Sequence, residues 1–263
     1  MKVKRIVSGI GILVLAAVLL ATVGRKPLYH LYRELEYRWG EPTAAEQTVH
    51  TFAEENGIPY GEYPKDLIEL LDKNPETEDF VLGYPTRAVT TATLSCSRET
   101  VPLFLQWDPS WGYEAYGSSY LAVTGCGPTC LSMAGYYLTG DETMTPAAVA
   151  AFSEENGYYA PGYGSSWTLI SEGAEKLGLT AKELPLVKGK MVDAVEAGHP
   201  VILALGPGDF TTTGHYIVLT GWEDGAFRVN DPNSRIRSEK LWTYEELESQ
   251  IRNIWEISLA DAN

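Results

Sequence analysis

Three short apolar runs crowd into positions 200–229: Pro200-Val201-Ile202-Leu203-Ala204-Leu205, His215-Tyr216-Ile217-Val218-Leu219-Thr220 and Ala226-Phe227-Arg228-Val229. Each is too short for a helix that could bury it, and each is rich in residues that fit a pleated surface. Gly206-Pro207-Gly208 and Glu223-Asp224-Gly225 interrupt them as turns, so neighbouring strands run antiparallel. A further run at 254–259 reads as a closing strand. Helical patterns come earlier. One helix begins in the Gly125-Cys126-Gly127-Pro128-Thr129 turn and a second at Thr145-Pro146, ending at Asn156-Gly157. A third runs from Ser166 to Leu177, and a fourth covers about 190–197. Thr243 with Glu246 caps a late helix. Helices first and antiparallel strands later make an α+β domain with segregated layers.

The remainder of the chain is different in kind. Lys2, Lys4 and Arg5 precede Ile6 to Val23, eighteen residues without a charge, and Gly24-Arg25-Lys26 follows. A basic flank before an uncharged run marks either a cleaved export signal or a retained membrane anchor over residues 1–25. Both imply an extracytoplasmic location, with the membrane as a partner through that segment. Residues 26–100 read as a mostly helical extension, either a prodomain or, preferably, a fixed support. Leu28, Leu31, Leu35 and Trp39 form a helical apolar stripe over 27–39. Thr43 with Glu46 is a capping box for a helix reaching about Glu55. Pro64 starts another helix with Leu67, Ile68, Leu70 and Leu71 on its apolar face, and 80–82 is expected to be extended before a turn. Residues 101–263 are then the catalytic domain.

The formal net charge is −15. Lys2, Lys4, Arg5 and Arg25 leave with residues 1–25, so the remainder carries −19. Such a surface repels nucleic acid. Three cysteines, Cys96, Cys126 and Cys130, leave at least one thiol free, and a Cys96–Cys130 bridge is open on spacing alone.

Cys126 sits at a helix start, where unpaired N–H groups and a partial positive charge favour thiolate and can hold a developing oxyanion. Gly125 and Gly127 keep bulk from the sulfur, which would let an extended substrate approach. Cys130, one turn later, is expected to pack in the core. Of four histidines, His215 opens an apolar strand, a costly place for a polar ring without a partner or a task. His30, His50 and His199 read as structural or surface residues. One hairpin beyond His215, Asn230 and Asp231 come back beside it; alternation lets one of the two orient the ring, and Asp231 is preferred for its charge. Gln106 carries two N–H donors suited to an oxyanion hole with the Cys126 N–H. No cofactor and no metal is implied. Zinc on Cys126, Cys130 and His215 would need both thiols to turn to one ion and has no fourth ligand. The aromatic residues between Trp107 and Trp167 are either packing or the wall of a cleft.

Five stretches in order resemble the papain-like cysteine peptidases of the C39 type, in particular the bacterial C39-like group. They are Gln106-Trp107-Asp108-Pro109-Ser110-Trp111, Gly125-Cys126-Gly127-Pro128-Thr129, Gly198-His199-Pro200-Val201-Ile202, Gly214-His215-Tyr216-Ile217-Val218-Leu219-Thr220-Gly221 and Val229-Asn230-Asp231-Pro232. The resemblance covers about 101–258. It implies a papain-like fold and hydrolysis of peptide bonds in a peptide or protein substrate. In it Cys126 is the nucleophile, His215 the base, Asp231 the orienting acid and Gln106 the oxyanion-hole glutamine. Transporter-fused members of that type remove leader peptides after a double glycine; residues 1–263 show no glycine run before a Lys-Ser or Lys-Thr pair. Two other readings stay open: an amidase of cell-wall peptides, and an exported binding protein that keeps the fold without turnover.

Overall fold

The computed structural model describes residues 24–88 and 92–260. It divides into two compact units, one ending at Thr86 and the other starting at Arg87.

In the first unit, α1 (Arg25–Trp39), α2 (Ala44–Asn56), α3 (Lys65–Lys73) and α4 (Glu78–Leu82) follow one another. Thr43 and Glu46 form the expected reciprocal capping box on α2. Residues 80–82, expected to be extended, are helical in α4. Glu78 and Asp79 in its first turn complement the helix dipole, and Phe80 and Val81 are buried. The packed face of α1 is not its apolar stripe. Arg33 is 1% exposed and donates to the Tyr63 carbonyl at 3.3 Å, with its guanidinium over the Tyr60 ring. Tyr37 stacks on His50 at 3.9 Å, while Leu31 and Trp39 lie exposed. The dominant contacts are thus cation–π and hydrogen-bonded, which a period of apolar residues does not report.

The expectation of an N-terminal membrane segment, with a membrane partner and an extracytoplasmic location, is corrected here. Among the described residues no helix is long and apolar enough to cross a membrane. The described helix nearest the N-terminus, α1, carries Arg25, Lys26, Arg33, Glu34, Glu36 and Arg38, charges too costly for a bilayer core. The uncharged run itself, residues 6–23, lies outside the described residues.

The second unit is built on a six-stranded antiparallel sheet. Its strands are β3 (Leu179–Glu183), β4 (Val201–Leu205), β5 (His215–Glu223), β6 (Ala226–Asn230), β7 (Leu241–Trp242) and β8 (Ile251–Leu259), in spatial order β3-β8-β4-β5-β6-β7. A small hairpin, β1 (Tyr159–Ala160) and β2 (Gly164–Ser165), lies apart from it. Among its helices are α5 (Cys126–Thr139), α6 (Pro146–Glu155), α7 (Lys188–Glu196) and the short α8 (Arg235–Glu239). The α+β arrangement, helices first and antiparallel sheet later, is as expected. Alternation sends Ile202, Ala204, Tyr216 and Val218 into one apolar cluster with Leu131 and Met133 of α5. Val201, Leu203, Ile217, Leu219 and Val229 enter a second cluster with Met191 and Ala194 of α7. Every residue of β4 is therefore buried, which is why its sequence is an unbroken apolar run. Each such Leu or Ile contributes roughly 1.5–3 kcal/mol on burial. Between the two helices the sheet is held firmly, and one of its ends carries the polar residues.

Candidate active site

Cys126 is the first residue of α5. Thr129 fastens that first turn, its hydroxyl donating to the Gly125 carbonyl at 2.8 Å and its N–H to the same oxygen at 3.0 Å. The sulfur is half-buried at the end of the helix where backbone N–H groups point outward. The flanking glycines are closely packed. A Cβ on Gly127 would come within 2.7 Å of the Ser165 hydroxyl, and one on Gly125 within 2.5 Å of the Leu121 carbonyl.

His215 opens β5 and is buried. Its Nε2 donates to Asp231 Oδ1 at 2.7 Å. The Cys126 charge also acts on the ring, and with Nε2 engaged, Nδ1 is the nitrogen left for a further partner. Burial alone would lower the pKa of this ring. The Asp231 charge and hydrogen bond, with the Cys126 charge, outweigh burial and raise it to about 10. That direction favours the imidazolium form of the ring.

Asp231 is fully buried. Besides His215, its Oδ1 accepts the Asn233 N–H at 2.8 Å, and its Oδ2 accepts from Arg237 Nε at 2.5 Å. Burial pushes its pKa up, but the His215 and Arg237 charges win and hold it below the usual carboxylate value. Asn230 does not face the histidine. Its Nδ2 donates to the carbonyls of Val101 and Pro102, at 3.0 Å each.

Gln106 is buried, and its backbone N–H donates to the Pro232 carbonyl at 2.7 Å, tying it to the turn that carries Asp231. Its Nε2 donates to the Ala122 carbonyl at 2.7 Å, four residues ahead of the cysteine. The amide is thereby fixed between the two, with a second N–H still to give. Cys130 is buried among apolar side chains, and desolvation, then the charges of Cys126 and Asp231, push its thiol far up. Cys96 is a free, exposed thiol, so the Cys96–Cys130 bridge does not form. Among the described residues, no group of three or more His, Cys, Asp or Glu is placed to hold a metal ion.

The remaining histidines are structural: His199 pairs with Glu256 at 2.7 Å, His50 with Glu34 at 3.2 Å and His30 with Glu62 at 3.2 Å. Of the aromatic residues, Trp107, Trp111, Tyr116 and Tyr158 are buried, so packing accounts for them. Tyr163, 90% exposed, and Trp167, 49% exposed, are the exceptions, at and just beyond the β1–β2 hairpin. That hairpin sits against the segment before Cys126, since a Cβ on Gly164 would come within 2.9 Å of the Thr124 carbonyl. Sequence reasoning missed Arg237. It belongs to a short polar helix with no apolar period, and the only hint was that a buried carboxylate seeks a second cation.

Among curated proteins no sequence matches this one. The peptidase domain of Streptococcus ComA, a bi-functional ABC transporter involved in a quorum sensing pathway, is similar at 21% identity and a TM-score of 0.41, over 53% of this chain and 93% of that one. A double glycine motif protease from an AMS/PCAT transporter, in complex with its leader peptide, is similar at 20% identity and a TM-score of 0.38, over 64% of this chain and 97% of that one. Residues 98–260 match the model of the Peptidase_C39 like family, and the chain belongs to that family.

Proposed function

We propose that the chain is a cysteine-type peptidase whose working parts are Cys126, His215, Asp231 and Gln106. The observation that carries this reading is one buried imidazole bonded to the Asp231 carboxylate at 2.7 Å, with the Cys126 charge among the influences that raise its pKa. An imidazolium beside the sulfur stabilises the thiolate, which attacks the carbonyl carbon of the scissile amide. The carbonyl oxygen takes the negative charge, and the Cys126 N–H with the free N–H of the Gln106 amide stabilises it. Nδ1 of His215 gives its proton to the leaving amine as the C–N bond breaks, leaving a thioester. The now neutral ring takes a proton from water, the hydroxide cleaves the thioester, and the thiolate–imidazolium pair returns. Asp231 keeps the ring turned and its positive form stable throughout.

The test is cleavage of a mixed peptide library by the full chain, followed by mass spectrometry. New fragments should arise with the wild type and disappear with Cys126→Ala. Fragments that persist unchanged in that variant would remove the assignment. The binding-protein reading gains from a library left intact by wild type.

A further inference from the structure

We propose that Arg237 is a positioning residue of this site, one that occupies Asp231 Oδ2 so that Oδ1 is dedicated to His215. The proposal rests on the peptidase reading for its consequence in catalysis, though its geometry stands alone. Asp231 has no exposed surface, and a buried carboxylate is stable as an anion only when its charge is matched and both oxygens are bonded. Oδ1 is satisfied by His215 and the Asn233 N–H, whereas Oδ2 is met by Arg237 Nε.

Arg237 is held through its backbone as well as its side chain. The Arg237 N–H donates to the Ser234 hydroxyl at 3.0 Å, and the Arg237 carbonyl accepts from the Trp242 indole at 2.9 Å. Its charged end lies 5.9 Å from the centre of the Phe210 ring, and that ring packs on Trp242 at 4.4 Å. Phe210 belongs to the segment joining β4 to β5, which delivers His215. One side chain thus touches both the carboxylate that orients the base and the loop that feeds the base into place.

The titratable and charged groups facing Asp231 are His215 from β5, Arg237 from α8, and Cys130 from α5, the last buried and un-ionised. Removing Arg237 leaves His215 as the sole cation beside a carboxylate that cannot reach water. Asp231 then takes up a proton at a higher pH and releases the ring.

The experiment uses the full chain with Cys96→Ser, so that Cys126 is the thiol accessible to iodoacetamide. Alkylation rate is followed from acid to neutral pH for the parent, Arg237→Met, Arg237→Gln and Arg237→Lys, with His215 ring resonances recorded across the same range. The neutral variants should move the acid midpoint up by about one pH unit or more, lowering alkylation at pH about 5 by roughly tenfold. Arg237→Lys should restore it. A purely structural role would lower rates at every pH and leave the midpoint where it was. Folded Met and Gln variants with unmoved His215 resonances and an unmoved midpoint would overturn the proposal. Should Cys126 prove inert even in the parent, the peptidase reading fails, and the His215 resonances still decide for or against Arg237.

Discussion

His215 Nε2 and Asp231 Oδ1 lie 2.7 Å apart, on the far side of a one-residue bulge in β5 that shifts its pairing with β6. At the turn end, Glu223 pairs with Ala226 and Gly221 with Arg228. Beyond Gly221 the register shifts, so that Leu219 lies opposite Val229 and Val218 opposite Asn230. Side chains directly opposite share a face, which puts Asn230 with Val218 on the α5 side, where its amide meets the Val101 and Pro102 carbonyls. Without the extra residue, Leu219 rather than Val218 would lie opposite Asn230. A carboxylate, rather than the neighbouring amide, is thus the group bonded to the imidazole.

The two neighbours should respond differently to truncation. Asp231→Ala is expected to lower kcat by about 10²–10⁴-fold, through loss of ring orientation and of imidazolium stabilisation. Asn230→Ala is expected to leave most of kcat but to reduce stability by about 1–3 kcal/mol, since it strips the Val101 and Pro102 carbonyls of their donor. Peptide turnover and urea unfolding of both variants check this; equal rates would remove the special place of Asp231.

Gln106→Ala should reduce kcat by about 10²–10³-fold with little change in KM, as expected for a donor used mainly when the oxyanion forms. Steady-state kinetics on any cleaved peptide provide the check. A rise in KM alone would assign the amide to ground-state binding instead.

Stability should depend on pH through the same pair. The folded pKa of His215 is about 10, above its ordinary 6.5, so folding tightens proton binding there. That contribution is complete below pH 6.5 and is lost as pH climbs through about 10. Asp231 is depressed below its ordinary 3.8, so its contribution is present above that pH and fades as acid protonates the folded form. Thermal unfolding should be highest between these limits. His215→Gln should flatten the alkaline decline; an unchanged decline would locate the proton elsewhere.

Gly127→Ala should destabilise by about 1–3 kcal/mol, because the new methyl group would meet Ser165 of the β1–β2 hairpin at 2.7 Å. Differential scanning calorimetry tests it. A neutral outcome would show that the hairpin yields freely, against the buried Tyr116 hydroxyl that bonds Ser165 at 2.7 Å and Ser153 at 2.8 Å.

The legible parts were those written locally. The Thr43 and Thr243 capping boxes, the Thr145 cap and the α5 start are each carried by a few adjacent residues, and the apolar strands by their unbroken runs. Strand β3 was missed because Leu179-Thr180-Ala181-Lys182-Glu183 buries only Leu179 and owes its extended form to pairing with β8. The α1 stripe misled because an arginine and two rings, not leucines, make the contact. The choice between Asn230 and Asp231 needed the Val101 and Pro102 carbonyls, more than a hundred positions away, that engage the amide, and Arg237 needed knowledge of a carboxylate six positions away and fully buried.

The most direct measurement is the rate at which iodoacetamide modifies Cys126, mapped by mass spectrometry against Cys96 in the same molecule. At pH about 6 an ordinary thiol is almost wholly protonated and slow. Wild-type Cys126 should react at least tenfold faster than Cys96 there, and His215→Ala should abolish the difference. Equal reactivity of the two thiols in the wild type, or an advantage at Cys126 that survives loss of the imidazole, would contradict a thiolate–imidazolium pair.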